Sequence, residues 1–168
     1  EIGGSVLVDV FTITTEASIG DGAQVNQGLA GGAGQDVTVR ANDDTHVVNG
    51  AGGVGATTGS AGIGAGIMVL IVTKDVRAWI GAGSNVDAGG DVTVQASASE
   101  DFLVIAMAAG VAADGAGVGA SIIVIVLTNG TRTYIESSAA SPTTIDAGGN
   151  VSVTATDLAE DINIAAGG

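Results

Sequence analysis

Three stretches of this chain can be laid over one another, and that constrains its fold more than any single side chain does. Setting Val6-Leu7-Val8 beside Ile67-Met68-Val69 and Ile122-Ile123-Val124 also aligns Ile19, Ile80 and Ile135. The same alignment brings together Asp36-Val37-Thr38-Val39, Asp91-Val92-Thr93-Val94 and Asn150-Val151-Ser152-Val153. The period is roughly 55 to 60 residues, at the upper edge of architectures that grow by stacking a unit unable to bury its own apolar face. The copies run approximately 1–61, 62–116 and 117–168. The expected fold is all-β, a repeat β-solenoid or a stacked-sheet variant of one.

Spacing between the aligned landmarks shows where the copies differ. Val39 to Val69 and Val94 to Val124 are both 30 apart, whereas Gly20 to Asp36, Gly81 to Asp91 and Glu136 to Asn150 are 16, 10 and 14 apart. Extra residues are therefore expected in one turn per copy, where a loop can leave a stack without disturbing its rungs. Glu1 aligns with Gly62, and 165–168 with 108–110, so the chain starts and stops inside the pattern, as expected of a segment of a longer protein.

Asp36-Val-Thr-Val-Arg-Ala and Asp91-Val-Thr-Val-Gln-Ala alternate apolar with polar residues, which predicts half-buried strands. Each follows a glycine-rich turn, Gly31-Gly32-Ala33-Gly34 or Ala88-Gly89-Gly90. The runs 47–72 and 102–127 are 26 residues long and nearly uncharged, so a hydropathy window would read each as a membrane helix. Eight glycines in the first run argue otherwise: at ~1 kcal/mol lost per helical glycine, the sum is about 8 kcal/mol. The flanking pieces, Ile67-Met-Val-Leu-Ile-Val and Ile122-Ile-Val-Ile-Val-Leu, consist of strand formers.

In such a strand Ile122, Val124 and Val126 point one way and Ile123, Ile125 and Leu127 the other. Both sets need cover, from a second sheet of the same chain, a neighbouring copy, or lipid, with protein contacts favoured. The Gly and Ala residues at 61–66 and 115–120 would let sheets approach closely.

Composition narrows the function classes. Aromatics make up 2% of the 168 residues and glycine supplies 29, so a bulky globular core is not available. A net charge of −14 with four basic residues lacks the positive footprint that nucleic acid or anionic lipid needs. The chain has no cysteine and one histidine, which removes thiolate and multi-imidazole metal sites.

No catalytic, cofactor-binding or metal-ligating residue is assigned. Gly50-Ala-Gly52-Gly-Val-Gly55 fits a dinucleotide fingerprint, but no amphipathic helix follows to hold a pyrophosphate. Gly31-Gly-Ala-Gly-Gln-Asp36 resembles the start of a calcium-binding nonapeptide without its tandem copy. Asp36, Asp91 and Asn150 recur at one turn and read as a capping ladder, with calcium bridging as the sharper alternative. His46 beside Asp43 and Asp44 has no matching histidine in the other copies and no visible nucleophile, and reads as solvated. Trp79 aligns with Tyr134 and Arg77 with Arg132, a stacked ladder in preference to a carbohydrate platform. Asn129-Gly130 could make a tight turn, although the aligned Lys74-Asp75 and Ile13-Thr14 suit one poorly.

The strings Ala61-Gly-Ile-Gly-Ala-Gly-Ile, Ala116-Gly-Val-Gly-Ala-Ser-Ile, Arg77-Ala-Trp-Ile-Gly-Ala-Gly-Ser-Asn-Val and Ala88-Gly-Gly-Asp-Val-Thr-Val-Gln-Ala resemble the glycine- and alanine-rich β-strand repeats of large bacterial surface proteins, the filamentous-haemagglutinin-like repetitive adhesins. Copy one departs from the pattern at Asp9 and Ser18. The resemblance covers essentially the whole chain and implies a secreted β-solenoid stalk or filament, extracellular or on the bacterial cell surface. The expected function is a non-enzymatic structural or adhesive segment. Its expected partners are other copies, through apolar strands or neighbouring repeats, and a cell-surface or carbohydrate ligand, with no nucleic acid and no membrane insertion. The alternatives are a self-assembling filament or sheath subunit and a polysaccharide-active solenoid enzyme. Ice binding is an outsider, because the Thr-x-Thr spacing at 12–14 and 131–133 does not recur regularly.

Overall fold

The computed structural model describes residues 1–27 and 34–168. Each copy is one coil with a long strand, a short strand and a second long strand. Coil one holds β1 (Ile2–Ile19), β2 (Gln24–Val25) and β3 (Val37–Thr57). Coil two holds β4 (Ala61–Ile80), β5 (Asn85–Ala88) and β6 (Val92–Ala112), and coil three β7 (Ala116–Ile135), β8 (Thr144–Ala147) and β9 (Val151–Gly167). Stacking produces three parallel sheets, β1-β4-β7, β2-β5-β8 and β3-β6-β9, and no helix occurs among the described residues. The chain is an all-β solenoid. Residues 47–72 are two strands and a tight turn, as their glycines predict.

The aligned repeats are the hydrogen-bonded register itself. Val6, Ile67 and Ile122 pair across one sheet, as do Ile19, Ile80 and Ile135, while Val37, Val92 and Val151 pair across another. Gly167 pairs with Ala108, so the chain end lies over 106–109 rather than 108–110. Asn129-Gly130 is no turn, because β7 runs straight through it.

The extra residues occupy two turns, not one. Eight residues, 136–143, separate β7 from β8, where four separate β1 from β2 and β4 from β5. In coil one the excess comes after the short strand instead, between Val25 and Val37. The expected turn at 31–34 and the nonapeptide-like stretch fall largely outside the described residues.

Long strands of 17 to 21 residues far exceed the usual 3 to 10, and at ~3.3 Å per residue the coil is about 60–70 Å wide. The two long sheets run back over each other. Gly3 lies under Val54, Asp9 meets Asn49, and Thr15 meets Asp43. One end is closed by the short sheet, which makes a three-sided base filled by Val76, Ala78, Ile80, Val86, Val92 and Val94. Beyond it lies a two-sheet section where Met68, Leu70 and Val72 pack on Phe102, Val104 and Ala106. Burying each larger side chain of these clusters is worth about 1.5–3 kcal/mol.

Toward the far end the interior contains almost no side chains. A Cβ on Gly53 would strike the carbonyl oxygen of Ala65, one on Gly55 that of Ile63, and one on Gly64 that of Ala109. The sheets touch there backbone to backbone, so the cross-section tapers from base to fin. Packed sheets ordinarily sit ~10 Å apart, a gap that only glycine can close this far.

Candidate functional site

Strand alternation sends every second residue outward, and the outward rows differ between fin and base. On β1-β4-β7 three consecutive fin rows are Val6-Ile67-Ile122, Val8-Val69-Val124 and Val10-Ile71-Val126. All nine side chains are β-branched, and those of the two outer coils are 43–67% exposed. Ile2-Ile63-Val118 continues the patch toward the tip. On the opposite surface, Val48-Leu103-Ile162 and Gly50-Ile105-Ile164 are followed by Gly52-Met107-Ala166 and Val54-Ala109. The small residues of this surface leave an open groove of about 430 Å³, walled by Val54 and Met107 and floored by Gly52, Ala109 and Ala166.

Of the two apolar sets in β7, the structure covers Ile123 and Ile125 of one, leaves its third member Leu127 37% exposed, and leaves the other set open. Ile123 and Ile125 pack on the interior cluster of Met68, Leu70 and Phe102, so their cover is the opposite sheet of the same chain. Ile122, Val124 and Val126 are the outward set. The two sets are equally apolar, so composition alone could not order them. In the structure Gly62, Gly64 and Gly66, where a Cβ would strike the facing sheet, share the phase of Met68 on the inner face.

Over the base the outward rows turn polar. Thr12-Thr73-Thr128 forms a single threonine column, and beyond it come Glu16-Arg77-Arg132 and Ser18-Trp79-Tyr134. Trp79 and Tyr134 stack with ring centroids 6.0 Å apart and planes 12° apart, and the Arg77 guanidinium lies 5.9 Å from the Trp79 ring. Each aromatic face is thus turned along the stack, as the ladder reading expects. Arg132 donates to both carboxylate oxygens of Asp75 at 2.8 and 2.9 Å, which raises its already high pKa, and Arg77 pairs with Glu16.

The acidic turn positions also form a ladder, though each side chain serves the next coil rather than its own turn. Asp36 accepts from the Asp91 N–H, and Asp91 from the Asn150 N–H, both at 2.7 Å. His46 lies 2.9 Å from Asp101 of the next coil on the outer face. Gly50 to Gly55 lie within β3, where no helix follows them. Among the described residues no three His, Cys, Asp or Glu side chains are grouped to hold an ion.

A buried ionic seam, which the spacing of residues did not reveal, separates base from fin. Lys74 is 2% exposed and pairs with Asp43 of coil one and with Glu100 Oε1 at 2.7 Å. Burial by itself would raise the Asp43 pKa, but hydrogen bonds from Lys74, Thr15 and Thr45, with the lysine charge, hold it below the usual value. Burial would likewise lower the Lys74 pKa, yet hydrogen bonds to Asp43 and Glu100 and their charges raise it. Lys74 aligns with Ile13 and Asn129, so the lysine occurs in one coil only. The sequence signal was a lone lysine in the phase of buried Val72 and Val76. In coil one the departure at Asp9 is compensated inside the fin by Asn49, which donates at 2.6 Å.

No helix among the described residues is long and apolar enough to cross a membrane. Compared with known proteins, the chain matches no family model, no curated protein and no solved structure.

Proposed function

We propose that this chain is an extracellular structural or adhesive repeat segment, part of a stalk or filament displayed at a bacterial cell surface. The observation that carries the reading is the stack of three in-register coils whose functional groups form ladders along the stack rather than converging in a cleft. A stack of this kind offers a repeating surface to its surroundings. The resemblance of its glycine- and alanine-rich strings to repetitive adhesins supports the location. Its lack of cysteine and its net charge of −14 agree with such a setting.

The non-enzymatic part of the proposal is supported by where the acid and base groups lie. Lys74 with Asp43 and Glu100 is sealed inside, while His46 with Asp101 lies on the open flat of a sheet. The apolar fin favours a second reading, a self-assembling filament or sheath subunit. Antibodies against the Arg77–Trp79–Arg132 surface, applied to intact cells and followed by electron microscopy, test the location. Label on external fibres or a surface layer is the expected result, and label only after the cells are opened overturns it.

A further inference from the structure

We infer that copies of this chain laminate front to back, the valine–isoleucine ridge on one face of the fin seating in the glycine–alanine groove on the opposite face of the next copy. The inference rests on the structural-segment reading and names its partner, a second copy of the same chain.

The fin is apolar on its outer faces as well as within. Its interior positions near the tip are glycines such as Gly53, Gly55, Gly62 and Gly64, while Val6, Val8, Val124 and Val126 face outward. Behind the ridge the interior is already filled by Leu7, Met68, Leu70 and Ile123, so the outward set gains apolar burial only from what covers it. Both surfaces of the same section are apolar, so both need cover.

Charge placement agrees with a copy as that cover. No outward residue from 2 to 10, 48 to 54, 63 to 71, 103 to 109, 118 to 126 or 162 to 168 is charged. The outward charges of the strands lie over the base or beside the seam, among them Glu16, Arg40, Asp75, Arg77, Arg132 and Glu160, and Glu1 and Asp114 sit at the fin tip off both faces. A chain of net charge −14 can therefore stack its fins while the like-charged bases stay in water.

Shape then selects the copy's opposite face. The ridge presents columns of β-branched side chains at the ~4.8 Å strand spacing, and only a stack with the same spacing offers matching columns. The groove of about 430 Å³ beside Met107 is the concave counterpart on the other surface. Ridge and groove are different patches, so the contact is heterologous and continues from copy to copy. Three strands at ~4.8 Å and nine fin residues at ~3.3 Å give a contact of about 400 Å² per face. That is about half the ~800 Å² per partner of a stable interface, so this three-coil chain associates weakly and strengthens with each added coil.

The test is sedimentation equilibrium of the parent, Val124→Asp on the ridge, Met107→Asp in the groove, and an equimolar mixture of the two variants. The expected parent mass rises with concentration and passes beyond dimer, while each variant alone stays monomeric. The mixture, which retains one intact ridge and one intact groove, should stop at dimer. Circular dichroism checks the fold, and Val124→Thr with Met107→Gln repeats the pattern at smaller amplitude should either aspartate unfold the chain. A parent that remains monomeric, a mixture that remains monomeric, or Met107→Asp dimerising by itself overturns the inference. So does flotation of the parent with phosphatidylcholine vesicles. None of these outcomes bears on whether the chain lies outside the cell.

Discussion

Base and fin are made from the same strands yet differ in how inside relates to outside. In the base, Val76, Ile80, Val86 and Val94 fill the interior, and the outer rows are free to be Thr, Arg, Asp and Glu. In the fin the interior is Met68, Leu70, Phe102 and Val104 beside the seam and glycine toward the tip, and the outer rows are Val and Ile throughout. Where three sheets enclose the interior, the outer rows are wet. Where two sheets lie face to face, the outer rows are apolar whether the layer between them holds side chains or only backbone. Between the two regions lies the Lys74–Asp43–Glu100 seam, with an apolar cluster on either side.

Removing the charge that holds the seam should have the largest effect. Lys74→Met would leave two carboxylates facing each other in a dry layer, and breaking a buried pair costs about 3–5 kcal/mol. Urea unfolding should show that loss, and Lys74→Met combined with Asp43→Leu and Glu100→Met should recover most of it. A single variant as stable as the parent would show that base and fin do not depend on the seam. The seam also defines a pH window. The Asp43 pKa is lowered from 3.8, so its contribution is full above that value and lost as pH falls through the folded pKa. The Lys74 pKa is raised from 10.5, so its contribution is full below that value and lost as pH rises through the folded pKa.

The next effect separates the two interiors directly. Gly64→Val in the fin places a side chain against the Ala109 carbonyl and should cost about 1–3 kcal/mol or more, as overpacking does. Thr93→Val on the outer face of the base should stay within ~0.5 kcal/mol. Hydrogen exchange should report the first as faster opening confined to the fin. Uniform opening of both regions would merge them into one cooperative unit. The smallest effect concerns the turn ladder, where Asp91→Ala frees the Asn150 N–H and should cost about 1 kcal/mol. Its exchange signature belongs at the base, and a change in the fin would contradict the division.

Register was legible because parallel stacking places equivalent residues of successive coils side by side, so aligning Ile19 with Ile80 and Ile135 was the same act as pairing them. The partition between inside and outside in β7 was not, because alternation orders two sets without saying which is buried when both are apolar. The sequence alignment places the insertions in one turn because the short strands, Gln24–Val25 and its partners, are too brief to anchor it. Lys74, Asp43 and Glu100 come together only because coils stack and sheets fold back, and neither step leaves a spacing rule between residues so far apart in the chain. The outer aromatic ladder was visible because both of its members sit at one aligned position.

The length of the strands has a consequence for reach. A coil of this chain consumes roughly 55 to 60 residues and advances the stack by a single strand spacing, ~4.8 Å, while extending about 60–70 Å sideways. Three coils therefore make a plank about 14 Å tall along the stacking direction. A short-runged solenoid of equal mass would project several times farther. Per residue this architecture gains distance from a surface slowly and area quickly, so a stalk built from it is a broad blade rather than a thin rod.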